Sequence, residues 1–255
     1  MTAIIVSDLH LGSRYFQSRV FAKFFDTIAD VDELILNGDV IDRPHARLEP
    51  LHQQNLDRIE QLSYRCKVVW VQGNHDNGYM PSRLGKIQFC RRYALDDRIL
   101  ITHGDDFDTI MPRSRMFIKA FRWMHDLRVR LGARPVHVAE YAKKWKAFYR
   151  VLRNGVMHNA VNFALENGYN AVTCGHTHFA EDLVLNGVRY INTGAWTELP
   201  AHYLNITSDS MVLNRVDYEF TNSCRRHDAS NSSIINAGHP STVRGAAAPI
   251  KGLDI

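Results

Sequence analysis

Ala3-Ile4-Ile5-Val6-Ser7-Asp8-Leu9-His10 is the stretch from which the rest of the chain can be read. A run of β-branched residues cut off by an acid marks a buried strand ending at a polar edge. In extended chain residues i and i+2 project to the same side, so Asp8 and His10 offer a carboxylate and an imidazole to one ion. The pattern recurs further on. Residues 34–36 lead to Gly38-Asp39, with Asp42 three positions later, and residues 68–71 lead to Gly73-Asn74-His75-Asp76. Residues 99–101 lead to His103-Gly104-Asp105, and residues 171–174 to Gly175-His176-Thr177-His178, two imidazoles again at i and i+2. A glycine ahead of the acid lets the backbone turn sharply, and one carboxylate such as Asp39 can bridge two cations. Taken singly, each of these reads as a strand-end cap or turn residue. Together, at the C-terminal ends of successive strands, they converge where α/β sheets build their sites. Carboxylate, imidazole and amide oxygen without thiolate suit hard-to-borderline divalent ions.

Outward from these strands, residues 17–29 and 50–64 carry apolar side chains at helical spacing, which makes the first half an α/β pattern. After residue 170 the texture turns to strands: 182–185, an Asn186-Gly187 hairpin turn, 188–192, 203–206 and 211–216. That β-rich half predicts a second sheet packed on the first. Residues 112–131 and 136–153 read as two amphipathic helices separated by Gly132-Ala133-Arg134-Pro135. The apolar stripe of the first is Phe117, Phe121, Met124, Leu127 and Leu131; that of the second is Ala142, Trp145, Tyr149 and Leu152. From about Thr221 the chain is rich in Ser, Asn, Gly and Ala, and a loosely ordered tail is expected.

The charge is unevenly spread. Residues 110–153 hold twelve Lys/Arg against Asp126 and Glu140, a segment of +10, while the remainder carries −6. A carboxylate-rich body beside an anion-attracting appendage is the expected arrangement. Cys66, Cys90, Cys174 and Cys224 form no C-x-x-C pair, so neither a thiolate zinc site nor a disulfide framework is implied, and a reducing cytoplasm is expected. The N-terminal run is too short for a signal peptide, and no run approaches the ~18–20 apolar residues needed to cross a bilayer. Neither a G-x-S-x-G elbow nor a Walker loop occurs, so no nucleophilic side chain is implied. His45, His52, His125, His137, His158, His202, His227 and His239 fall outside the motifs and are expected to be surface or packing histidines.

The series Asp8/His10, Gly38-Asp39, Gly73-Asn74-His75-Asp76, His103 and Gly175-His176-Thr177-His178 resembles the signature of the calcineurin-like metallophosphoesterases. The resemblance implies a four-layer αββα sandwich of two mixed sheets with a dinuclear centre, most often Mn²⁺, with Fe or Zn as alternatives. It implies that Asp8, His10, Asp39 and His178 hold one metal, and that Asn74, His103, His176 and the bridging Asp39 hold the other. By the same resemblance His75 is an outer-sphere imidazole that contacts the phosphate and assists the leaving group, with Asn74 and Asp39 beside it. Residues 1–220 would form this domain, with 110–160 inserted as a helical lid and 221–255 as the tail.

His103-Gly104-Asp105-Asp106-Phe107-Asp108 and Asn192-Thr193-Gly194-Ala195-Trp196, with the inserted helices between His103 and His176, resemble the UDP-2,3-diacylglucosamine hydrolases of lipid A synthesis. That likeness implies cleavage of a pyrophosphate to give UMP and 2,3-diacylglucosamine 1-phosphate. The best-known members read G-N-R-D where this chain reads G-N-H-D; a branch of hydrolase-like proteins keeps the histidine. Substrate contacts are expected from Asp105, Asp108, Arg113, Arg115, Phe117, Phe121, Arg122 and Trp145, the basic residues meeting phosphates or an anionic membrane surface and the aromatics covering acyl chains. The opposing expectation is that the stripes only pack the helices on the body. A nuclease or cyclic-nucleotide phosphodiesterase stays open, because a basic face with aromatics also binds single-stranded nucleic acid. A metal-stabilised scaffold that binds a protein partner through the basic helices is the third reading; for the enzyme reading no stable protein partner is inferred.

Overall fold

In the first strand, β1 (Ala3–Val6), both faces are buried, and successive side chains point to opposite sides. Ile4 and Val6 enter one apolar cluster, Ala3 and Ile5 another, so a layer must lie on each face. The chain, a computed structural model, is described for residues 1–216 apart from 29, 46, 80–82, 84 and 112–114; of 115–118, 120 and 122 only the backbone is described. The expected tail at 221–255 lies outside these residues.

The elements follow as α1 (Ser18–Thr27), β2 (Glu33–Asn37), α2 (Pro50–Leu62), β3 (Lys67–Val71), β4 (Gln88–Cys90), β5 (Arg92–Leu95) and β6 (Ile99–Thr102). Then come α3 (Arg115–Arg130), α4 (Val138–Ala142), α5 (Lys146–Glu166), β7 (Ala171–Cys174), β8 (Glu181–Leu185), β9 (Val188–Asn192), β10 (His202–Ile206) and β11 (Met211–Arg215). One sheet runs β11-β10-β1-β2-β3-β4, and the other β5-β6-β7-β9-β8. The strands β1 to β4 are mutually parallel, as are β6, β7 and β9, so their C-terminal ends gather at one edge of each sheet. Parallel strands need long crossovers, and the helices on several of these connections supply the outer layers.

The inter-sheet core joins Ile5, Ile35, Val69 and Val71 to Ile99, Ile101, Ala171 and Ile191. On the far side of the first sheet, α1 and α2 pack Phe21, Phe24, Leu56 and Ile59 against Leu34, Leu36, Val68 and Trp70. On the far side of the second, α5 packs Val156, Ala160, Val161 and Ala164 against Val172 and Tyr190. The result is the αββα sandwich expected from the sequence.

Two differences from the sequence reading have physical causes. β4 and β5 were not expected; each is a three- or four-residue edge strand, half exposed, so neither carries a continuous apolar run. The single helix expected over 136–153 is two, since the backbone leaves helix at Trp145 and α5 then runs to Glu166. No proline or glycine marks that break. Contacts from outside hold it: Lys143 pairs with Glu198, and the Tyr149 hydroxyl donates to the Thr177 carbonyl. No described helix is long and apolar enough to cross a membrane.

Candidate metal centre

The polar motifs meet at the gathered strand ends because the backbone there leaves the sheet in an unusual way. Asp8, His10, Asp39, His176 and His178 all have φ between 51° and 60°. The left-handed region costs a side-chain-bearing residue roughly 1 kcal/mol or more, and five such residues in one place mean the surrounding fold enforces it. Two glycines make the crowding possible. A Cβ on Gly38 would lie 2.3 Å from His103 Nδ1, and one on Gly175 would lie 2.2 Å from Asp8 Oδ2.

One group of donors is Asp8, His10 and His178: His178 Nε2 is 3.1 Å from Asp8 Oδ1 and 3.3 Å from His10 Nε2. Asp39 Oδ2 lies 3.9 Å from His10 Nε2 and 3.2 Å from His103 Nε2, between that group and a second made of Asp8, Asp39 and His103. Asp39 therefore stands where a bridging carboxylate would. His103 Nδ1 donates to the Asn37 carbonyl at 3.0 Å, which leaves Nε2, facing Asp39, as the nitrogen available to an ion that displaces its proton. His176 stands one step further out, with Nδ1 3.1 Å from Asn74 Oδ1 and Nε2 donating to Asp108 Oδ2 at 2.9 Å. The seven residues expected as ligands are thus brought together, His176 and Asn74 at the rim.

The electrostatics favour a cation. Asp8 Oδ1 and His103 Nε2 are buried and, though 3.1 Å from His178 Nε2 and 3.2 Å from Asp39 Oδ2, make no well-aligned hydrogen bond there, which is costly unless a cation meets them. Burial pushes Asp39 up, but the imidazoles of His103, His10 and His75 outweigh it and hold the carboxyl well below the usual range. Burial pushes His103 down, yet Asp39 and Asp8 together lift it well above an ordinary imidazole. A field that strong for a proton is also strong for a divalent ion, and the oxygen and nitrogen donors fit one.

Around these lie residues that position them. His75 Nδ1 donates to the Asp42 carbonyl at 2.8 Å, fixing a half-buried ring whose edge meets His10 at 4.8 Å. The Asp42 carboxylate lies 3.4 Å from His10 Nδ1, the backing contact that orients a ligating histidine. Asp76 accepts from Ile41 N, Gly73 N and Trp70 Nε1 and ties two of the loops together.

The residues expected to touch substrate divide. Asp108, expected there, holds His176 instead, its other oxygen accepting from the amides of Ile110 and Met111. Asp105 is engaged by Arg91. Phe121 is buried, stacked on Tyr141 at 5.3 Å with Trp145 edge-on at 5.6 Å. Arg113 and the side chains of Arg115, Phe117 and Arg122 lie outside the described residues. Contrary to the expected stripe, Leu127 on α3 and Leu131 just after it are exposed, 39% and 79%.

His137, expected at the surface or in packing, is the residue the sequence reading missed. Its ring stacks on His178 at 5.2 Å and lies 5.3 Å from His10. Burial, joined by His178 and His10, pushes it down to about 2. A lone histidine after Pro135-Val136 carries no sequence signal; only the docking of α4 brings it here.

A sequence profile for the family described as calcineurin-like phosphoesterase matches residues 1–180. No curated protein matches the chain. Among solved structures, the E. coli phosphoesterase Yfce is 14% identical over 85% of this chain and 100% of its own, with a TM-score of 0.43. A novel archaeal phosphodiesterase is 16% identical, covering 84% and 98%, with a TM-score of 0.42. Vacuolar Protein Sorting 29 from Cryptosporidium parvum is 12% identical, covering 84% and 95%, with a TM-score of 0.44.

Proposed function

The chain belongs to the calcineurin-like phosphoesterase family and is a metal-dependent hydrolase, and from that premise we propose that its substrate is an acylated nucleotide sugar, UDP-2,3-diacylglucosamine, cleaved at the pyrophosphate to UMP and 2,3-diacylglucosamine 1-phosphate. The observation that carries this reading is an apolar cavity of about 100 Å³ between the inserted helices and the donor cluster. Phe121, Val138, Ala142, Phe148 and Leu152 line it, and it ends at His176. Hydrocarbon surface leading straight to a metal-ligand histidine matches a molecule with an acyl chain next to a phosphate. A polar cleft of about 690 Å³ bordered by Arg14, Arg19 and Arg134 opens beside Tyr15, whose ring lies 5.6 Å from that of His137, and suits the charged nucleotide half.

Two divalent cations, Mn²⁺ in this reading, supply the Lewis acidity that brings water towards deprotonation near neutral pH and offsets charge on the phosphoryl oxygens. The protein's part is placement. When bound, one ion would be held by Asp8, His10, Asp39 and His178, and the other by Asp39, Asn74, His103 and His176. His75, held by the Asp42 carbonyl, gives a proton to the departing oxygen. Along α3 and just past its end, Trp123, Leu127 and Leu131 are exposed apolar residues beside Arg128 and Arg130, which fits peripheral contact with an anionic membrane from which a lipid substrate is drawn.

The test is to incubate the protein and Mn²⁺ with UDP-2,3-diacylglucosamine, dinucleotides, cyclic nucleotides and single-stranded DNA, and to identify products by mass spectrometry. UMP with 2,3-diacylglucosamine 1-phosphate is expected. Turnover confined to DNA or cyclic nucleotides would transfer the site to the nuclease or cyclic-nucleotide reading.

A further inference from the structure

Building on the phosphoesterase reading, we propose that His137 is a catalytic residue brought to the centre by the helical insertion, a neutral imidazole that donates a hydrogen bond to the phosphoryl group under attack. His137 caps the N-terminus of α4, where its Nδ1 accepts the Ala139 amide at 3.3 Å. A ring nitrogen that accepts carries no proton, so the ring's single N–H is on Nε2. The cap therefore fixes the tautomer as well as the helix.

The surroundings fix the ring's place. It lies parallel to His178, 14° between planes at 5.2 Å, with Tyr15 edge-on at 5.6 Å on another side. One of its nitrogens falls within 4.8 Å of donor atoms of His10 and Asp42. His75 also flanks His10, at 4.8 Å. His10 thus has two further imidazoles beside it, one from the body and one from the insertion, and in the proposal this is the side from which the phosphoryl group reaches the donors. A neutral donor suits that position, since a lysine or arginine there would repel the cations. As the P–O bond breaks and charge grows on oxygen, a fixed N–H stabilises it without reorganising, an effect of about 10²–10³ in kcat for one such donor. The insertion would then complete the site as well as cover it.

The decisive variant is His137→Asn, because asparagine keeps the cap to Ala139 while ending too short to offer a second nitrogen. Three quantities are read: kcat on bis(4-nitrophenyl) phosphate with Mn²⁺, Mn²⁺ per chain by mass spectrometry, and the affinity of the loaded protein for inorganic phosphate by calorimetry. The proposal expects kcat to fall about 10²-fold with KM little changed, phosphate affinity to fall about tenfold, and Mn²⁺ content to hold. His137→Gln, long enough to present an N–H, should recover part of both losses. Wild-type kcat and phosphate affinity in the asparagine variant would reduce His137 to a helix cap and overturn the proposal. Loss of Mn²⁺ would make it a metal ligand and overturn it equally. If the unmodified protein hydrolyses no phosphodiester, the phosphoesterase reading fails, and the phosphate-binding arm still decides His137.

Discussion

Each side chain at the centre is held by something behind it, and the cost of removing a group depends on which kind it is. His75 is fixed by the Asp42 carbonyl, and although its ring reaches the His10 and Asp39 donors, in the role proposed for it His75→Ala should keep its metals and lose about 10²–10⁴ in kcat. The deficit should shrink as the leaving group becomes more acidic, which a series of aryl phosphodiesters measures; loss of bound metal would assign His75 to the ligands instead. Gly175 has the opposite character. It touches no substrate, yet a methyl there would sit 2.2 Å from Asp8 Oδ2. Gly175→Ala should displace Asp8, lower the metal content and cut kcat/KM by about 10² or more, read together from metal analysis and kinetics. That the expected ligands would cluster was legible in the sequence because each follows a strand, and strands pointing one way deliver their ends to one place. Asp108 was legible as a site residue but not in its role, since whether a carboxylate faces substrate or an imidazole is decided by a 2.9 Å contact across the fold. His137 was not legible at all, being a single residue between elements.

The inserted helices differ from the body in what holds them. α5 is anchored along its C-terminal half by Val156, Ala160, Val161 and Ala164, whereas α4 has no fully buried residue and is held through its ends. That makes α4 and the start of α5 the adaptable wall of the apolar cavity. If acyl chains enter there, replacing Phe121 and Trp145 with Ser should raise KM for the diacylated substrate while a small aryl phosphodiester is still hydrolysed. Each CH₂ left unburied is worth about 0.8 kcal/mol, so loss of two such contacts gives roughly a tenfold rise. Equal loss on both substrates in a folded variant would make the aromatics structural. The helical period over 112–131 and 136–153 identified the insertion correctly as helical. It could not locate the break at Trp145 or the projection of Leu131 into solvent, because periodicity records which residues could share a face and not whether a partner covers it.

Across the whole molecule the donor cluster lies where two independently built sheets meet. Asp8, Asp39 and Asn74 come from one sheet, His103, His176 and His178 from the other; the inter-sheet core of Ile5, Ile35, Ile101 and Ile191, with cross-sheet bonds such as His103 Nδ1 to the Asn37 carbonyl and the His176 amide to Asp8, holds them in register. This much of the architecture was legible, since apolar strands ending in polar motifs require a buried sheet with one functional edge. The edge strands β4 and β5, which carry the chain from one sheet to the other, were not, because a short, half-exposed strand owes its pairing to its neighbours. The arrangement links metal binding to stability. Ions held by both sheets bind the native state and not the unfolded chain, so Mn²⁺ at 100 times its dissociation constant should add about 2.7 kcal/mol. For a domain of this size that corresponds to a rise in Tm of about 5–10 °C over the chelated protein, measured by scanning calorimetry. Asp39→Ala removes a carboxylate that reaches both His10 on one side and His103 on the other, so it should abolish most of the Mn²⁺-dependent rise together with phosphodiester hydrolysis. A full rise in that variant would mean that the ions, wherever they bind, do not join the two sheets through Asp39.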